Sequence, residues 1–434
     1  MKPAHTALRI RLSTPILPLL AAALLLLDIF SANRVWLVML VGLGGMWLVS
    51  WAWARSLARN LTLVREVRFG WAHVGDVVEE RFTLINDGWA PGIWVEVLDR
   101  STMPSYDPSR VSGVDRYSET RWQTKGLCVR RGLYMLGPTI LSCQDPFGVY
   151  RVEKDYPAFS TMAVVPPVLP LPMIEIAPGG KAGDGRSRTD APERTVDASG
   201  VRDYVPGDSL RWIHWRTSAR TGSLHVRLFD GTPVGDWWIF VDMDAASQAG
   251  MGENSTEEHA VVLAASLANR GIAEGRAVGL VGEGEKELVW LPPREGMAQM
   301  WEILRALAMI KPGRRTLEEL LSRLNPRDSA RSSVILVTPN VEGGWLNPLL
   351  ELAQRGIRPT VLLLDPLSYG GGKGAGGISA QLTEQEIAGY IFTRDSLDRP
   401  ELHPGAVAQF KWKTTPRGRA IMTEAPDLTW KTLL

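Results

Sequence analysis

Two apolar runs near the start of the chain, PILPLLAAALLLLDIF (residues 15–30) and VWLVMLVGLGGMWLVSWAW (residues 35–53), determine how the protein is organised. As helices, the stretches 12–30 and 35–53 would each rise about 28 Å, close to the ~30 Å hydrocarbon core of a bilayer. Only residues 31–34 separate them. So short a connection predicts a transmembrane helical hairpin over residues 12–53, with both ends on one side of the membrane.

Basic residues predict the orientation of this hairpin. The turn contains Arg34 alone, with Asp28 nearby, whereas both flanks are basic. The flanking basic residues are Lys2, Arg9, Arg11, Arg55, Arg59, Arg65 and Arg68. By the positive-inside rule, residues 1–11 and everything after residue 54 are expected in the cytoplasm, which makes the chain a multi-pass protein of the inner membrane. The alternative is a cleaved signal peptide; the basic start fits it, but a second spanning run four residues later does not.

Composition excludes several other classes of protein. Lysine plus arginine number 48 and aspartate plus glutamate 47, so no overall charge attracts nucleic acid, and none is expected as a partner. The two cysteines, Cys128 and Cys143, are too few for a disulfide framework and have no zinc-ligand pattern around them. We interpret them as ordinary half-buried thiols, because a disulfide would require an oxidising compartment and the opposite topology.

The stretch after the hairpin has the alternation of β-strands. VVEERFTLIND (residues 77–87) and GIWVEVLD (residues 92–99) are short runs bounded by turn residues. This pattern predicts an all-β, sandwich-like domain over residues 61–175. Residues 176–200 are rich in Gly, Pro, Asp and Arg with few large apolar side chains, which predicts a flexible linker or loop.

Residues 237–434 alternate between buried strands and helices. WWIFVDMD (residues 237–244), SVILVT (residues 333–338) and TVLLLD (residues 360–365) are nearly continuous apolar runs. A capping box, Ser255 with Glu258 three residues later, begins a helix between the first two. The pattern predicts an α/β domain, doubly wound, with helices on both faces of a parallel sheet.

The densest polar and aromatic stretch is VRDYVPGDSLRWIHWRTSARTGSLHVRLFD, residues 201–230. His214 is its only plausible general base, and with Asp208 it could serve acid–base catalysis. Interleaved arginines and aromatics could instead bind single-stranded nucleic acid or phosphate. The third interpretation is structural: the arginines pair with acids and the tryptophans pack beneath the adjoining domain, which makes Trp215 and Arg220 stabilising residues. We favour it, because no nucleophile, second carboxylate or metal set accompanies His214.

This stretch resembles the signature of the bacterial and archaeal family of domain of unknown function fifty-eight. The signature runs Arg-x-Tyr-x-x-Gly-Asp, Arg-x-Ile-x-Trp, Ser-Ala-Arg and Leu-x-Val. Its matches here are Arg202, Tyr204, Gly207, Asp208, Arg211, Ile213, Trp215, Ser218, Ala219, Arg220, Leu224 and Val226. A second family marker is similar to RGLYMLGPTILSCQDPFGVYR, residues 131–151. Its matches are Arg131, Gly132, Tyr134, Gly137, Pro138, Asp145, Pro146, Phe147 and Gly148.

The resemblance implies a membrane-anchored partner of MoxR-type AAA+ ATPases, with a von Willebrand factor A-like domain in its C-terminal half and no enzymatic activity. Intact domains of that kind hold Mg²⁺ with an Asp-x-Ser-x-Ser strand end and a distant Thr and Asp. Here Asp242 fits, Asp244 and Ala246 replace the two serines, and Thr338 ends a later strand without an acid near Asn340. With oxygen ligands missing, the resemblance implies a degenerate site without metal or other cofactor.

Three hypotheses follow. The first, which we prefer, is a cytoplasmic scaffold or adaptor that is not an enzyme, held in the bilayer and presenting the carboxyl ends of its parallel strands to a protein partner. The second is a metal-dependent ligand-binding domain that uses Asp242 and Asp244. The third is an enzyme that uses His214 and Asp208.

Overall fold

The computed structural model groups the chain into two units, Met1–Pro167 together with Arg399–Leu434, and Val168–Asp398. The described residues are 7–31, 33–68, 70–171, 174–177, 200–205, 213–228, 235–283, 288–324, 332–397, 411–414, 420–424 and 431–432. The boundaries differ from the expected ones. The first unit ends at Pro167 and not at residue 175, and the last stretch of chain belongs to it and not to the α/β domain.

The first element that the structure describes is a strand, where a cytoplasmic tail and the start of a helix are expected. Strand β1 (Ala7–Leu12) is followed by helices α1 (Ile16–Phe30) and α2 (Arg34–Asn60). β1 pairs antiparallel with a strand at Tyr150–Tyr156. The expected span from residue 12 was therefore wrong at its start: in LRIRL the apolar residues alternate with arginines, which is a strand period and not a helical one.

Among the described residues, α2 is the one helix whose length and composition suffice to cross a membrane. α1 has 15 residues and rises about 22 Å. α1 is therefore shorter than a full span. The sequence predicts two spanning helices, and the described residues contain one helix of sufficient length, α2. The two helices pack against each other. Both ends of the pair continue directly into strands of this unit, β1 before α1 and Leu61–Val67 after α2.

The rest of the first unit is rich in β-structure. The strands after α2 are β2 (Leu61–Val67), β3 (Trp71–His73), β4 (Val77–Asn86), β5 (Gly92–Asp99), β6 (Arg110–Val114), β7 (Ser118–Leu127), β8 (Gly132–Leu136), β9 (Thr139–Gln144), β10 (Tyr150–Tyr156) and β11 (Ser160–Val165). They form one sheet in the order β1-β10-β9-β5-β6 and another in the order β3-β11-β8. Strands β2, β4 and β7 lie side by side, in that order, in a third sheet. One core contains Leu57 of α2, Phe82 and Leu84 of β4, Val97 of β5 and Leu141 of β9.

The second unit contains the predicted α/β domain. Its strands are β12 (Gly200–Asp203), β13 (His225–Leu228), β14 (Trp237–Val241), β15 (Val278–Glu283), β16 (Leu288–Arg294), β17 (Ser333–Thr338), β18 (Arg358–Leu364) and β19 (Ala388–Phe392). Its helices are α3 (Trp215–Thr221), α4 (Thr256–Ala273), α5 (Met297–Met309), α6 (Leu317–Ser322), α7 (Leu346–Gln354) and α8 (Gly376–Glu384).

Six of these strands form one sheet in the order β16-β15-β14-β17-β18-β19. All neighbours are parallel except β16, which runs antiparallel to β15. The central strands β14 and β17 are buried along their whole length, as the continuous apolar runs predict. The Ser255 hydroxyl caps α4 by accepting from the Glu258 N–H, which confirms the predicted start of that helix and the Ser255 half of the capping box.

After the α/β domain the chain returns to the first unit. The described strands there are β20 (Lys411–Thr414), β21 (Ala420–Glu424) and β22 (Lys431–Thr432). β22 pairs antiparallel with β2. The sequence does not predict this return, because such short strands carry little periodicity of their own.

The expected linker, residues 176–200, lies mostly outside the described residues. Its start is held by the α/β sheet. The Ala177 N–H donates to Thr360 Oγ1 at 3.2 Å, and the Ser333 hydroxyl donates to the Ala177 carbonyl at 2.7 Å. Residue 177 is therefore an ordered part of the second unit.

Candidate site at the carboxyl ends of the central strands

The order of the α/β sheet reverses between β14 and β17. The chain moves from β14 outward through β15 to β16, and then returns to the other side of β14 for β17, β18 and β19. Open α/β sheets bind ligands outside the carboxyl ends of the strands at such a switch point. Asp242 directly follows β14, and Thr338 is the last residue of β17. Two of the residues singled out from the sequence therefore meet at this point.

Asp242 is completely buried and is held by hydrogen bonds to both carboxylate oxygens. Its Oδ2 accepts from the Thr338 hydroxyl at 2.6 Å, and its Oδ1 accepts from the Asp244 N–H at 3.0 Å. Burial raises the pKa of Asp242 to about 6, and these hydrogen bonds oppose part of that rise. The carboxyl is thus occupied by partners within the protein and titrates close to neutral pH.

Asp244 is half-buried and shapes the loop after β14. Its Oδ1 accepts from the Ala246 N–H at 3.0 Å. Its backbone pairs with Gly313, whose N–H donates to the Met243 carbonyl at 2.8 Å. The carboxylate therefore acts as the acceptor of an Asx turn, a role that the two-residue spacing of Asp242, Asp244 and Ala246 supports.

The metal-site positions are brought together only in part. Asp242 and Thr338 touch, Asp244 bonds to its own loop, and Ala246 offers no side-chain oxygen. Throughout the stretches that the structure describes, no group of three or more His, Cys, Asp or Glu is placed to hold a metal ion. Mg²⁺ prefers near-octahedral oxygen ligation, and these four residues offer part of it. That the site binds no metal stays a prediction.

Several residues that support the site carry no clear signal in the sequence. Gln248 Nε2 donates to the Asp242 carbonyl at 3.0 Å, and its Oε1 accepts from the buried Thr256 hydroxyl at 2.7 Å. Across the switch point, the Asn340 N–H donates to Thr338 Oγ1 at 2.9 Å and the Asn340 carbonyl accepts from Trp345 Nε1 at 3.2 Å. These contacts join both central loops to the helices that follow them.

Two apolar side chains at this edge face solvent. Met251, in the loop between β14 and α4, is 91% exposed, and Leu367, in the short 3-10 helix Pro366–Tyr369 after β18, is 58% exposed. The ring of His259 in the first turn of α4 lies 5.0 Å from the ring of Tyr369, which ties the two segments together. The carboxyl edge therefore combines internally satisfied polar groups with exposed apolar ones.

The signature segment is a small ribbon with a helix. β12 pairs antiparallel with β13, and the Tyr204 N–H donates to the Leu224 carbonyl at 2.8 Å. His214 caps α3: its Nδ1 accepts from the Thr217 N–H at 3.1 Å. The Thr217 N–H therefore occupies Nδ1, one of the two imidazole nitrogens of His214. Gly207, Asp208 and Arg211 lie outside the described residues, and of Arg202 only the backbone is described.

Inside this ribbon Ile213 is buried, and the Ser218 hydroxyl accepts from the His225 N–H at 2.9 Å. Trp215 behaves differently from the expectation. Its side chain is 66% exposed, and Ala219 and Arg220 beside it on α3 are exposed too. The expected packing of Trp215 beneath the adjoining domain was therefore wrong, because α3 turns its Trp215 face outward.

The second marker builds turns in the first unit. Asp145 is buried, and its carboxylate accepts from the Phe147 N–H at 3.0 Å and from the Tyr150 N–H at 2.6 Å. Gly148 has φ +69°, the left-handed conformation in which this turn closes. Pro146 stands between Asp145 and Phe147 in that turn, and Phe147 is 51% exposed.

The first half of the same marker surrounds β8. The Tyr134 hydroxyl donates to the Arg130 and Arg131 carbonyls at 3.0 and 3.2 Å, and Arg131 itself is buried. A side chain at Gly132 would approach the Tyr134 ring to 3.1 Å. Gly137, which precedes Pro138, has φ +89°, and a side chain there would meet the Ala158 carbonyl at 2.9 Å. The matched residues of this half are thus placed by backbone geometry and close packing.

The fold and the site together define a class of protein that has an apolar helix near its start, a β-rich unit, and an α/β domain with a loop at the switch point. Residues 200–368 match the family model described as "Protein of unknown function DUF58". The matched stretch contains both the signature ribbon and the switch point.

Two curated relatives also match part of the chain. Over 170 residues the chain is 25% identical to "Uncharacterized protein Rv1480" of Mycobacterium tuberculosis, an alignment that covers 38% of this chain and 54% of that protein. It is 30% identical over 112 residues to "Uncharacterized protein YeaD" of Bacillus subtilis, covering 26% of each. The chain thus spans about half the length of the Mycobacterium relative.

Solved structures add little. A β-glucosidase from Listeria innocua in complex with glucose aligns with a TM-score of 0.15 and 8% identity, covering 24% of this chain and 16% of that one. A similarity this low carries no argument about fold or activity.

Proposed function

We propose that the protein is a membrane-anchored adaptor whose α/β domain presents the carboxyl ends of its central strands to a protein partner. The observation that carries this proposal is the pair of exposed apolar side chains, Met251 and Leu367, at an edge whose polar groups Asp242 and Thr338 are already bonded to each other. Exposed methionine is characteristic of adaptable protein-binding surfaces. A partner that covers Met251 and Leu367 removes apolar surface from water, which favours binding. Asp242 and Thr338 are already buried and bonded to each other, so they contribute little to such binding.

We further infer that the α/β domain is von Willebrand factor A-like and that the partner is a MoxR-type AAA+ ATPase. The sheet order β16-β15-β14-β17-β18-β19, with its antiparallel edge strand β16, supports the domain assignment. The ATPase partner is what the resemblance of the signature and of the second marker implies.

The membrane part of the proposal is a helical hairpin in the inner membrane, with both folded units in the cytoplasm. Its support is the apolar α2, 27 residues long, and the attachment of both hairpin ends to the same unit. Arg55 and Arg59 are exposed at the base of α2, as the positive-inside rule requires. Arg65, counted with them from the sequence, is buried against Glu80 and Asp99 and contributes no free charge.

Binding to the ATPase is tested by pull-down of the full chain in detergent, with and without ATP. Asp244→Lys places a cation in the switch-point loop and is expected to weaken retention of a MoxR-type ATPase from the same organism. Glu384→Lys is the matched control, because Glu384 is exposed at the last residue of α8. The end of this helix leads into β19 and so lies at the amino edge of the sheet, away from the switch point. If the ATPase is not retained either with or without ATP, the adaptor proposal is contradicted. Retention that survives Asp244→Lys but is lost in Trp215→Ala would move the contact to the signature ribbon.

Topology is tested with single engineered cysteines. Met251→Cys and Tyr117→Cys place thiols at positions that are 91% and 71% exposed, one in each unit, whereas the native Cys128 and Cys143 are buried. A membrane-impermeant maleimide is expected to label both engineered positions in inverted vesicles and neither in intact spheroplasts. Labelling in spheroplasts would place the units outside the cytoplasm.

One observation favours a second candidate, metal-dependent ligand binding. Asp242 and Thr338 lie together at the switch point, and a cation could be coordinated by the carboxylate and hydroxyl oxygens in place of the hydrogen bond between them. Calorimetry with Mg²⁺ and Mn²⁺ separates this candidate from the adaptor. A tight single site that disappears in Asp242→Ala would establish metal binding, and weak or absent heat is expected if the adaptor proposal holds.

A further inference from the structure

The hairpin does not stand clear of the β-rich unit. Where β1 leads into α1, the Ser13 N–H donates to the Val149 carbonyl at 2.7 Å and the Thr14 hydroxyl donates to the Gly148 carbonyl at 3.2 Å. On the other helix, Trp47 Nε1 donates to the Tyr150 hydroxyl at 2.8 Å. The turn between β9 and β10, residues 145–149, therefore contacts the segment that enters α1, and Tyr150, the residue that follows the turn, contacts α2 at Trp47.

This contact leaves the free part of the hairpin shorter than a bilayer. α1 rises about 22 Å, and α2 from Arg34 to Trp47 rises about 20 Å. The hydrocarbon core is ~30 Å thick. A hairpin that crosses it must therefore bring the β9–β10 turn close to, or into, the membrane interface.

The outer face of α2 shows where that interface lies. Leu48, the next residue after Trp47, and Trp51, about one turn beyond it, are still 67% and 45% exposed. The Arg55 guanidinium then lies 5.1 Å from the Trp51 ring centroid. Tryptophan followed by arginine is the usual sequence of side chains at the boundary between hydrocarbon and headgroups. From Arg34 to Trp51 the apolar face of α2 rises about 26 Å. The turn at the level of Trp47 is thus about 6 Å deeper than Trp51.

The turn itself is suited to this depth. Phe147 is at its tip and 51% exposed, and its one acidic residue, Asp145, is buried with both carboxylate oxygens accepting backbone N–H groups. No exposed charge would enter the interface with the phenyl ring. Trp89, on the β4–β5 turn, adds a second aromatic: it is 47% exposed and its ring meets Trp53 edge-on at 5.5 Å.

We propose that the β-rich unit sits directly on the bilayer, with Phe147 of the β9–β10 turn inserted into the lipid interface beside the hairpin and Trp89 at its rim. The inference rests on the membrane anchoring proposed above. The occupant of this surface is the boundary between lipid headgroups and acyl chains, because the surface is continuous with the apolar face of α2. The turn compensates for the short hairpin and fixes the orientation of the unit on the membrane.

The test measures the depth of a nitroxide spin label on the full chain in nanodiscs made of three parts phosphatidylcholine to one part phosphatidylglycerol. Phe147→Cys carries the label at the turn. Phe159→Cys is the matched control, since Phe159 is 56% exposed and follows the far end of β10. β10 runs away from the turn along α2, because Tyr150 meets Trp47 and Lys154 donates to the carbonyl of Leu61 after the helix ends. Its seven residues span about 23 Å.

A third label, at Val41→Cys, reports on the anchor, since Val41 is 67% exposed on the free part of α2. The native thiols interfere little, because burial raises the pKa of Cys128 and Cys143 to about 12 and leaves few thiolates to react. The expected result is a ratio of oxygen to nickel-chelate accessibility that is several-fold higher at 147 than at 159, and highest at 41.

A label at 147 that is as open to the nickel chelate as the label at 159, with 41 buried in lipid, would overturn the inference and leave the anchor intact. Water exposure at 41 as well would overturn the anchor and the inference together. Phe147→Ser, which keeps the turn but removes the ring, provides a second measurement in the full chain. In this measurement the label is at position 89, placed by Trp89→Cys. We expect that label to be more accessible to the nickel chelate in the Phe147→Ser chain than in the chain that keeps Phe147.

Discussion

Thr338 donates its hydroxyl hydrogen to Oδ2 of Asp242 over 2.6 Å, although the two residues are 96 positions apart. The bond joins the ends of β14 and β17 at the point where the sheet order reverses. It also explains how a carboxyl that is completely buried can be kept in the core of an α/β domain, since both oxygens have a donor.

The stability of the fold is expected to fall as Asp242 ionises. Burial raises the pKa of Asp242 in the folded protein to about 6, above its ordinary value of 3.8. A raised carboxyl pKa means that this group stabilises the fold fully below pH ~3.8, and that the stabilisation is lost as the pH rises through ~6. The loss is about 3 kcal/mol at most.

Urea unfolding of the full chain in detergent at pH 5 and pH 8 measures the part of this loss that falls above pH 5, about 1.4 kcal/mol. Other carboxyls titrate too, so the informative quantity is the difference between the parent and Asp242→Asn, which cannot titrate. The parent is expected to lose more stability between the two pH values than the variant. Equal losses would show that Asp242 does not titrate in this range.

The β-rich unit is expected to depend on Arg65. Its guanidinium makes two hydrogen bonds to Glu80, at 2.7 and 3.0 Å, and a third to Asp99, and all three side chains are buried. Arg65→Met leaves two buried carboxylates without their cation, which costs about 3–5 kcal/mol.

Arg68→Met is the control for that experiment, because the Arg68–Glu79 pair is partly exposed and 3.4 Å long. Its loss is expected to be below about 1 kcal/mol. Denaturation of both variants, followed by tryptophan fluorescence, gives the comparison. A loss for Arg65→Met no larger than that for Arg68→Met would show that the buried network contributes little.

The signature tryptophan is expected to be dispensable for stability. Trp215 is 66% exposed, so Trp215→Ala should change the free energy of unfolding by no more than about 0.5 kcal/mol. Trp237, which is 1% exposed in β14, is the contrasting position, and Trp237→Ala should cost about 3–5 kcal/mol. Thermal melting of the two variants tests this, and a large drop in the melting temperature of Trp215→Ala would restore the structural interpretation of that residue.

The β9–β10 turn is expected to need the Asp145 carboxylate. Asp145→Ala leaves the Phe147 and Tyr150 N–H groups without their acceptor, at about 1–3 kcal/mol for each group that stays buried. Asp107→Ala is the control: Asp107 also accepts from a backbone N–H two residues on, that of Ser109, but it is exposed. Chemical denaturation should separate the two variants clearly, and similar midpoints would mean that the turn holds without its aspartate.

The sequence alone determined what depends on local patterns. Continuous apolar strands such as 237–241 predicted the buried sheet, because a strand covered on both faces needs apolar residues at every position. The capping box at Ser255 predicted the start of α4, because its donor and acceptor are three residues apart. The signature residues predicted the family, because they are a pattern of identities and require no geometry.

Tertiary structure alone decided what depends on distant partners. LRIRL in β1 has the period of a strand, but whether it joins a sheet depends on β10, about 140 residues away. β22 returns to β2 across almost the whole chain. Whether Arg65 is a surface cation or the centre of a buried network depends on Glu80 and Asp99. Propensity and hydrophobic period act within a few residues, whereas burial and pairing are settled by which segments can satisfy each other's polar groups and apolar faces in space.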